Sequence, residues 1–572
     1  MQASVPSLNT GRWLIHFDYD AFYASVVEHE DPALKAVPLI IQQKQIVCTC
    51  NYKARERGVY KLQLMTDAVR ICPEAVVILG EDLTRFRDAS KALYGFLRER
   101  IWSDRAERLG FDEVWLDCTD MIDYNAKLLS QNDLTNSFFC MDRDDPTIGF
   151  AFDATALFGQ TQPAIASEGV LLDEDRLRLH LASHLARHLR HELESQVGYT
   201  ATVGIGPNKV LSKLVGNVNK PHNQTTIIPP YEPLGTPTSN VTQFIDAHDI
   251  GKIPGIGFKL AQKIRSKVLG RTAVINEGLV MVNASTKESV SVGDVRNYPG
   301  MGPEMLEEVL GGPGAQKGIG GMVWGLLHGV DNTEVKKARR VPASISQEDS
   351  YMKYLHNFDE VRKQLLLLSE RLINRMRVDL TEDDEDDAST KRWMAHPRTL
   401  RLSTRPRPPR DADGVRPRTF HRISKSAPLP NFVFKLDEQM SGLAEKLVNE
   451  VLTSLFRKMH VESSQGWNIS LINIAVTNMA ESAADTKDSE GRDIGRMFRR
   501  QDDILKDFRV VEESEAGNTD DPVAAHPDDG MSSWDSDNDD EDSEPYACPD
   551  CQAHIPSFAW AAHQQFHIMA AT

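Results

Sequence analysis

One short stretch limits the folds open to this chain, because it places acidic residues inside an apolar strand pattern. The stretch "ERLGFDEVWLDCTD" (Glu107–Asp120) alternates with the period of a β-strand. In that pattern Asp112 and Glu113 leave one strand on opposite faces, among bulky apolar side chains. Burying a carboxylate costs several kcal/mol unless something positive meets it. The sequence therefore predicts positive charge beside this pair.

A second acidic strand end lies near the start of the chain, in "WLIHFDYDAFYASVVEHEDP". Residues 13–19 are predicted to form an apolar strand that ends around Asp18 and Asp20 and leads into a helix. Two such strands side by side would gather three or four carboxylates at one edge of a sheet. Oxygen ligands in that number suit Mg²⁺, and two such ions about 3.5–4 Å apart serve nucleotidyl transfer. Spacing alone leaves a second interpretation open, in which two surface strands carry unrelated, solvated acids.

Composition indicates a soluble, multidomain protein of a reducing compartment. The chain has 572 residues, of which 41% are hydrophobic and 26% charged, and about three to five domains are expected. It contains no apolar run of about 18 residues and no signal-peptide pattern at its start, so neither a membrane span nor secretion is predicted. Its seven cysteines are too few for a disulfide scaffold in a chain of this length.

Charge is distributed unevenly along the chain, whose net charge is −18. Residues 512–544 contain fourteen acidic side chains and no Lys or Arg, whereas residues 391–426 contain eleven Lys or Arg and two Asp. A basic block within an acidic protein indicates local contact with a polyanion. A solvated charged loop is the alternative at this point.

Apolar periodicity divides the chain into regions. Up to about Ile228, strands alternate with helices in an α/β or α+β pattern, interrupted at about 125–166 by a polar stretch that predicts a long inserted loop. Residues 242–335 are rich in Gly and predict short helices, and residues 344–482 predict strands with an amphipathic helix. Beyond residue 481 the polar, acidic sequence predicts disorder, up to a compact last segment from Pro545.

Three further motifs place cations or backbone N–H groups where they could hold phosphate. "CNYKARERGV" puts Tyr52 and Arg55 on one helical face, and "NKVLSKLVGNVNKP" contains Lys220 just before its last residue. The turn of "IPGIGFKLAQKI" contains Gly255 and Gly257, whose N–H groups can hold one DNA phosphate without reading sequence. Each motif alone is weak, since a glycine turn of this kind also occurs in ordinary helix connections.

Taken in order, these motifs resemble those of the Y-family translesion DNA polymerases: DxDxFYxSVxE, NYxAR, FDE, NKP and PGIG, over about residues 13–482. "LGFDE", "QQKQIVCTCNYKAR" and "GEDLTRFR" are further similar to the iota-type branch of this family. The resemblance implies a template-directed DNA polymerase that performs low-fidelity translesion synthesis in the nucleus. Its substrates would be primer–template DNA and deoxynucleoside triphosphates.

The same resemblance implies an α+β multidomain fold arranged as a right hand. The palm would comprise residues 10–30 and 100–235 with the insertion at about 125–166, and the fingers residues 31–99. A thumb with a helix-hairpin-helix would follow at 236–343 and a little finger at 344–482. A disordered acidic linker (483–544) and a small zinc finger (545–572) would complete the chain.

Roles for individual residues also follow from the resemblance. Asp18, Asp112, Glu113 and the backbone carbonyl of Tyr19 would hold two Mg²⁺ or Mn²⁺ ions. Tyr23 would lie under the sugar and leave no room for a ribose 2′-hydroxyl. The remaining contacts would be made by Tyr52, Arg55 and Lys220 to the triphosphate, by Gln43, Lys44 and Ile46 around the template base, and by Gly255, Gly257, Arg398, Arg401 and Arg405 to DNA.

The end of the chain carries the spacing of a zinc site. Cys548 and Cys551 are followed after eleven residues by His563 and His567, which suits one tetrahedral Zn²⁺. The segment resembles the ubiquitin-binding zinc fingers of other Y-family polymerases, which implies ubiquitin or a ubiquitinated sliding clamp as a partner. Gln565 departs from that pattern, because those fingers usually have an Asp there that contacts ubiquitin.

Each alternative function predicts that particular residues are kept or lost in the sequence. Another branch, an eta-like polymerase or a deoxycytidyl transferase, would keep the same acids and differ around the template base. A non-catalytic ubiquitin-reading scaffold would have lost a metal carboxylate, yet none of the three is missing. A cyclase with two metals on similar strands would lack both the PGIG turn and the basic block.

Overall fold

The computed structural model describes residues 7–164, 174–232, 239–274, 288–383, 391–406, 422–460 and 467–481, with two short strands at 546–547 and 554–555. The chain forms two compact units, Met1–Ser482 and Ala483–Thr572. The first unit mixes helices and sheets, so the predicted α+β multidomain class is confirmed. Within the described residues, no helix is both long enough and apolar enough to cross a membrane.

A six-stranded mixed sheet forms the centre of the first unit. Its middle strand is nearly continuous in apolar residues because both of its faces are covered: Leu14, Ile15 and Phe17 are fully buried. In spatial order the strands are β5 (Ala106–Leu109), β6 (Glu113–Asp117), β1 (Leu14–Tyr19), β10 (Ala201–Gly206), β11 (Gln224–Ile227) and β9 (Gln160–Gln162). Helices α1 (Phe22–Glu30), α4 (Thr84–Arg98), α5 (Thr119–Leu128) and α6 (Glu174–Glu192) contribute to the same core, whereas α7 (Lys209–Gly216) packs against β10 and β1.

The stretch predicted to be one strand around Asp112 is instead a hairpin. β5 and β6 pair antiparallel, with Leu109 opposite Glu113, and the chain reverses between them. Gly110 makes this turn possible because its φ of +73° is a backbone conformation that other residues rarely adopt. The acidic pair therefore lies at the end of a hairpin, where both residues are partly buried and Glu113 is the first residue of β6.

The predicted loop at about 125–166 is also wrong, because this segment contains strands. β7 (Ser137–Cys140) and β8 (Gly149–Phe152) form a hairpin, and β9 adds an edge strand parallel to β11. Phe139 stacks on Phe150 at 5.2 Å, and Phe150 stacks in turn on His188 of α6 at 4.2 Å. Aromatic side chains thus anchor a sequence whose overall polarity suggested a loop.

A smaller sheet carries residues 39–79. It consists of β3 (Ile46–Cys50), β2 (Leu39–Gln43) and β4 (Val76–Leu79), with β2 antiparallel to β3 and parallel to β4. Helices α2 (Tyr52–Glu56) and α3 (Met65–Ile71) complete a separate small core around Ile40, Val47 and Ala54. The β2–β3 turn places Lys44 at φ +51°.

Residues 239–274 and 288–327 form a helical region with its own core. Its helices are α8 (Asn240–Asp246), α9 (Phe258–Leu269), α10 (Val292–Arg296), α11 (Pro303–Leu310) and α12 (Ile319–Leu327). The buried face of α7, including Val210 and Leu211, joins this core. The region is therefore packed against the helix that also covers β10.

A four-stranded sheet with helices on one face follows, in the region where the sequence predicts strands and an amphipathic helix. Its strands, in spatial order, are β12 (Ile345–Leu355), β17 (Ile469–Glu481), β15 (Ala395–Pro406) and β16 (Ile423–Pro428). Its helices are α13 (Phe358–Leu380), α14 (Met440–Leu447) and α15 (Thr453–Met459), and a small ribbon consists of β13 (Thr381–Asp383) and β14 (Lys391–Trp393). On β15, Leu400 and Leu402 are fully buried, whereas Arg401 between them is exposed. One face of the sheet is therefore core and the other carries polar side chains.

Close backbone contact between β10 and α7 leads to a stability prediction. A Cβ atom on Gly204 would lie 1.9 Å from the carbonyl oxygen of Ser212 and 2.5 Å from the backbone N of Gly216. We expect Gly204→Ala to destabilise the protein by at least about 1–3 kcal/mol, because the clash is with backbone that cannot rotate away. Thermal unfolding of the full chain measures this as a lower midpoint.

Gly95→Ala is the matched control, since Gly95 lies within α4 and has open space at its Cβ position. Alanine there should leave the midpoint unchanged or raise it, because Gly in a helix interior costs about 0.5–1 kcal/mol. Equal midpoints for Gly204→Ala and the unchanged protein would contradict the proposed contact.

Candidate active site

Strand pairing brings the three predicted carboxylates to one edge of the six-stranded sheet. In the β1–β6 register Asp18 lies directly opposite Glu113. The N–H of Tyr19 donates to the carbonyl of Asp112 at 2.9 Å, which adds the third acidic residue. Tyr19 is the last residue of β1, so its own carbonyl lies at this edge too. We call Asp18, Asp112 and Glu113 the carboxylate edge.

Two lysines supply positive charge to the carboxylate edge. Lys220 forms an ion pair with Asp18, and Lys213 of α7 donates to Glu113 at 2.7 Å (Oε1) and 2.5 Å (Oε2). Among the described residues, no cation lies within ion-pair distance of Asp112. Sequence reasoning identified Lys220 but missed Lys213, whose only signal was a cation within an otherwise buried amphipathic helix.

Burial leaves this edge with more negative charge than the lysines neutralise. Burial, followed by repulsion from Asp18, raises the pKa of Asp112 above its usual value. The pKa of Glu113 is also raised by burial, although the charge and hydrogen bond of Lys213 oppose that shift. The imidazole of His16 lies 3.9 Å from Glu113. Its pKa is held well below the usual value, mainly by burial and then by the charge of Lys213, so this imidazole is neutral. Two ammonium groups therefore face three carboxylates at this edge.

The three carboxylates of this edge are suitable ligands for a hard divalent cation, although their side chains are not directed at a single ion position. All three groups are carboxylates, which are the ligands that Mg²⁺ prefers. In the described part of the chain, no three His, Cys, Asp or Glu side chains surround a single ion position. The lysine contacts explain this, because Asp18 and Glu113 are turned towards ammonium groups. A metal ion would have to displace Lys220 and Lys213 at least in part.

Asp20 is held away from this edge by hydrogen bonds of its own. It is buried, and it accepts from the hydroxyl of Thr202 at 2.7 Å and from the N–H of His222 at 3.0 Å. Both of its oxygens are therefore satisfied within the fold. Its contacts fit a role in orienting its neighbours.

A cavity of about 310 Å³ opens beside Asp112. Tyr23 forms part of its wall, and its ring stacks on Phe86 at 4.1 Å with only 9° between the planes, which fixes the ring. Lys61 also lines this cavity. Nothing in the sequence indicated this, because Lys61 follows the NYxAR motif and belongs to no recognisable motif itself. The cavity is lined by Phe22, Tyr23, Cys48, Thr49, Lys61, Gly110, Phe111 and Asp112. Its volume is at the lower end of the range for small-ligand pockets.

Tyr52 and Arg55 form a pair on α2, as the spacing predicts. The guanidinium of Arg55 lies 4.4 Å from the centre of the Tyr52 ring. Burial raises the pKa of Tyr52 to about 12, and the negative charges of Asp20 and Asp18 add to this shift, so Tyr52 faces the acidic side of the site. Arg55 is exposed and has no carboxylate partner among the described residues.

The predicted template-pocket residues lie on the β2–β3 hairpin and outside the lining of this cavity. Gln43 donates to the carbonyl of Gly80 at 2.7 Å, and the ammonium of Lys44 lies 3.1 Å from Asp349 of β12. Ile46 is half-buried at the start of β3. The structure therefore places this group near the four-stranded sheet.

The predicted DNA contacts lie on two other elements. Gly257 is the N-cap of α9, and Gly255 adopts φ +89°, where a Cβ would lie 2.9 Å from Leu326. Strand alternation places Arg401 and Arg405 on the polar face of β15. Arg398 is an odd number of residues away from both, so alternation assigns it to the other face. The predicted zinc ligands Cys548, Cys551, His563 and His567 lie outside the described residues.

Two family models match the chain. The impB/mucB/samB family matches residues 17–217, and the C-terminal domain of that family matches residues 342–489. The first match contains the whole carboxylate edge, and the second contains the four-stranded sheet. These matches agree with the resemblance that the motifs indicate.

Curated relatives carry polymerase names. The chain is 30% identical to DNA polymerase iota of Homo sapiens over 472 residues, which are 82% of this chain and 52% of that protein. It is 28% identical to DNA polymerase iota of Mus musculus over 488 residues, covering 84% of this chain and 55% of that protein. DNA polymerase IV of Ralstonia nicotianae is 23% identical over 369 residues, with 64% and 76% covered. The chain spans about half the length of the two iota relatives.

Charge removal at the carboxylate edge should weaken metal binding without loss of the fold. We expect Asp112→Asn combined with Glu113→Gln to weaken Mn²⁺ binding by roughly tenfold or more, because two hard ligands lose their charge. The thermal midpoint should stay equal or rise, since both carboxylates are buried at an energetic cost that raises their pKa values. Calorimetric titration with Mn²⁺ and a thermal scan measure the two effects.

The adjacent acids Asp144 and Asp145 provide a matched control because both are exposed in a turn. Their replacement by Asn should leave Mn²⁺ affinity unchanged. Equal Mn²⁺ affinity in both double variants would show that the carboxylate edge is not the metal site.

Proposed function

The chain belongs to the impB/mucB/samB family, and from this premise we propose that the protein is a Y-family DNA polymerase that performs translesion synthesis. The observation that carries the proposal is the β1–β6 register, which sets Asp18 opposite Glu113. The cavity of about 310 Å³ beside Asp112, which we call the nucleotide cavity, adds to this support. Primer–template DNA and deoxynucleoside triphosphates are the proposed substrates.

Four parts of the first unit suit the roles of a right-hand polymerase. The six-stranded sheet, from 10–30 and 100–235, would be the palm, and the small sheet within 31–99 the fingers. The helical region within 236–343 would be the thumb, and the four-stranded sheet within 344–482 the little finger. The support is their order along the chain and the position of the carboxylate edge on the largest sheet.

The chemistry would be an in-line transfer in which the primer 3′-hydroxyl attacks the α-phosphate and pyrophosphate leaves. Asp18, Asp112 and Glu113, with the Tyr19 carbonyl, would hold two Mg²⁺ or Mn²⁺ ions, which when bound lower the pKa of the hydroxyl and neutralise phosphate charge. Lys220, freed from Asp18, would bind the triphosphate together with Tyr52 and Arg55. Lys213 would favour the ionised form of Glu113 until an ion displaces it in part.

Within the family, the iota-type branch is the proposed assignment. The support is the two mammalian iota relatives, together with Phe111 at the wall of the nucleotide cavity. Gln43, Lys44 and Ile46 would then shape the space around the template base. An eta-like polymerase or a deoxycytidyl transferase is the alternative, and it would differ in which nucleotide follows which template base.

Primer extension opposite each of the four template bases tests the function and the branch together. We expect extension that requires a template and a divalent metal, with misincorporation that depends on the template base. The Asp112→Asn/Glu113→Gln variant is the control and should bind DNA without extending it. Extension that is equally accurate at all four bases would contradict the iota-type assignment, and a product of cytidylate alone would indicate the transferase.

Sugar selection should depend on Tyr23. We expect Tyr23→Ala to retain part of its deoxynucleotide addition and to add ribonucleotides markedly faster, because the ring that stacks on Phe86 would fill the space of a 2′-hydroxyl. The ratio of kcat/KM for the two sugars measures this. Tyr60→Ala, an exposed tyrosine of the same region, should leave the ratio unchanged. If the ratio is the same in both variants, another residue excludes the hydroxyl.

A zinc finger at 545–572 and a nuclear location remain proposals that rest on the sequence. The support for the finger is the spacing of Cys548, Cys551, His563 and His567, which fits one tetrahedral ion. Ubiquitin or a ubiquitinated sliding clamp would be its partner. Because Gln565 replaces an acid, one charge-assisted hydrogen bond would be missing, worth about 1.5–3 kcal/mol.

Zinc content tests the finger in the full chain. We expect about one tightly bound Zn²⁺ per chain and none after Cys548→Ser with Cys551→Ser, since thiolates are the strongest ligands of the set. Elemental analysis after dialysis against a weak chelator measures the ratio, and Cys48→Ser should retain the ion. Zinc that survives loss of both cysteines would place the ion elsewhere. Gln565→Asp should tighten ubiquitin binding if ubiquitin is the partner.

A further inference from the structure

A second cavity, of about 520 Å³, lies between α4, β5, the segment 336–346 and α13. It shares only Phe111 with the lining of the nucleotide cavity. We call it the basic cavity because eight of its lining side chains are cations and only two are acids. The cations are Arg87, Lys91, Arg108, Lys336, Lys337, Arg339, Arg340 and Arg375, and the acids are Glu107 and Asp379.

Five of these cations are already neutralised by carboxylates. Asp379 is buried and pairs with both Lys91 and Arg375. Lys336 lies 3.6 Å from Glu107, and the remaining two pairs are Lys337 with Asp104 at 3.0 Å and Arg340 with Glu382. These contacts tie the segment 336–340 and α13 to the cavity wall. The five paired cations therefore serve to hold these elements together.

Three guanidinium groups remain without a counter-ion. Within the described ranges, no carboxylate lies within ion-pair distance of Arg87, Arg108 or Arg339. Arg108 donates to the hydroxyl of Ser90 at 3.2 Å, and Arg87 lies 5.9 Å from the centre of the Phe111 ring. The proximity of Arg87 helps to lower the pKa of Arg375, although burial of Arg375 is the larger cause. Like charges are thus held near one another although the chain has a net charge of −18.

We propose that the basic cavity binds phosphate groups of a nucleic acid strand, at a site separate from the carboxylate edge. Guanidinium groups pair with phosphate through two parallel hydrogen bonds, so unpaired arginines around one cavity suit that ligand. The three arginines lie on three different elements, as expected for a ligand with several phosphates in a row. Apolar walls from Tyr94, Phe111 and Ile345 suit the sugars and bases between them.

The proposal rests on the proposed DNA polymerase function and specifies one of its contacts. A free polyphosphate, such as the pyrophosphate released by the reaction, has the same chemistry and is the other source of phosphate. A strand is favoured because the cavity shares Phe111 with the nucleotide cavity, so a strand whose end reaches Asp112 can continue past Phe111.

Equilibrium binding of the full chain to primer–template DNA across a range of salt concentrations tests this site. The test variant is Arg108→Gln with Arg339→Gln, because neither residue forms an ion pair that joins the structural elements. If each contacts a phosphate, the slope of log K against log salt should fall by about 0.9 per lost contact. Arg108→Lys with Arg339→Lys should restore the slope, because the charges return. Restoration also shows that the loss is not a folding defect, and a thermal scan of each variant checks this directly.

Arg85→Gln with Arg98→Gln is the matched control. Both arginines lie on α4 outside the basic cavity, and Arg85 is already paired with Glu30 at 2.9 Å. This control removes as much positive charge as the test variant does. It should change the slope of log K against log salt much less than the test variant. If the slope of log K against log salt falls equally in both double variants, the cause is the loss of net charge and not the loss of a contact in this cavity. That result would overturn the proposal.

Inorganic pyrophosphate is the second probe, added in the absence of DNA. If Arg108→Gln with Arg339→Gln weakens pyrophosphate binding but leaves the DNA slope intact, the cavity takes a free anion and the strand assignment is wrong. If neither changes, the arginines are not ligands at all. Primer extension at saturating DNA is measured separately, so a failed polymerase function would appear in the unchanged protein and could not be mistaken for failure of this site.

Discussion

The pairing of β1 with β6 sets Asp18 opposite Glu113, and the hydrogen bond from Tyr19 to Asp112 adds a third carboxylate to the same edge. Three acids that are partly shielded from water repel one another and lose hydration, which is why burial raises the pKa values of Asp112 and Glu113. The surrounding fold therefore has to keep cations within reach. Lys220 and Lys213 do this, so a metal ion that bound here would have to displace these lysines at least in part.

The position of the lysine at Glu113 depends on the close contact between α7 and β10. Lys213 lies on α7, and α7 can approach β10 only because Gly204 and Gly216 leave no side chains between the helix and the strand. The other face of α7 joins the core of residues 239–274 and 288–327 through Val210 and Leu211. A single short helix thus links the helical region to the charge balance of the carboxylate edge.

The sequence allowed the regular parts of this fold to be predicted because their periodicity reflects one buried face. The helix at 84–98 and the strands β15 and β17 follow from apolar residues at the expected spacing. The hairpin at Gly110 was missed because the alternation of β5 continues in phase through the turn into β6. The strands at 137–152 were missed because they are four residues long, and their Phe side chains pack on a helix some forty residues later.

The candidate site was predictable in its acids and much less in its cations. Asp18, Asp112 and Glu113 stand out because a strand rarely carries buried carboxylates, whereas Lys61 and Lys213 look like ordinary surface lysines until long-range packing places them.

Net charge is the least informative of the sequence quantities for this protein. An overall value of −18 would repel a polyanion, yet most of that excess lies within residues 512–544. At the short range over which salt leaves charges unscreened, about 8 Å in physiological conditions, local pairing matters more than the total. Lys91, Lys337 and Arg375 are already paired with carboxylates, so they contribute little to the binding of an approaching phosphate. Their partners are Asp379, Asp104 and Asp88. Affinity for an anion should follow the few guanidinium groups left unpaired, because only they exchange water for phosphate without first breaking an ion pair.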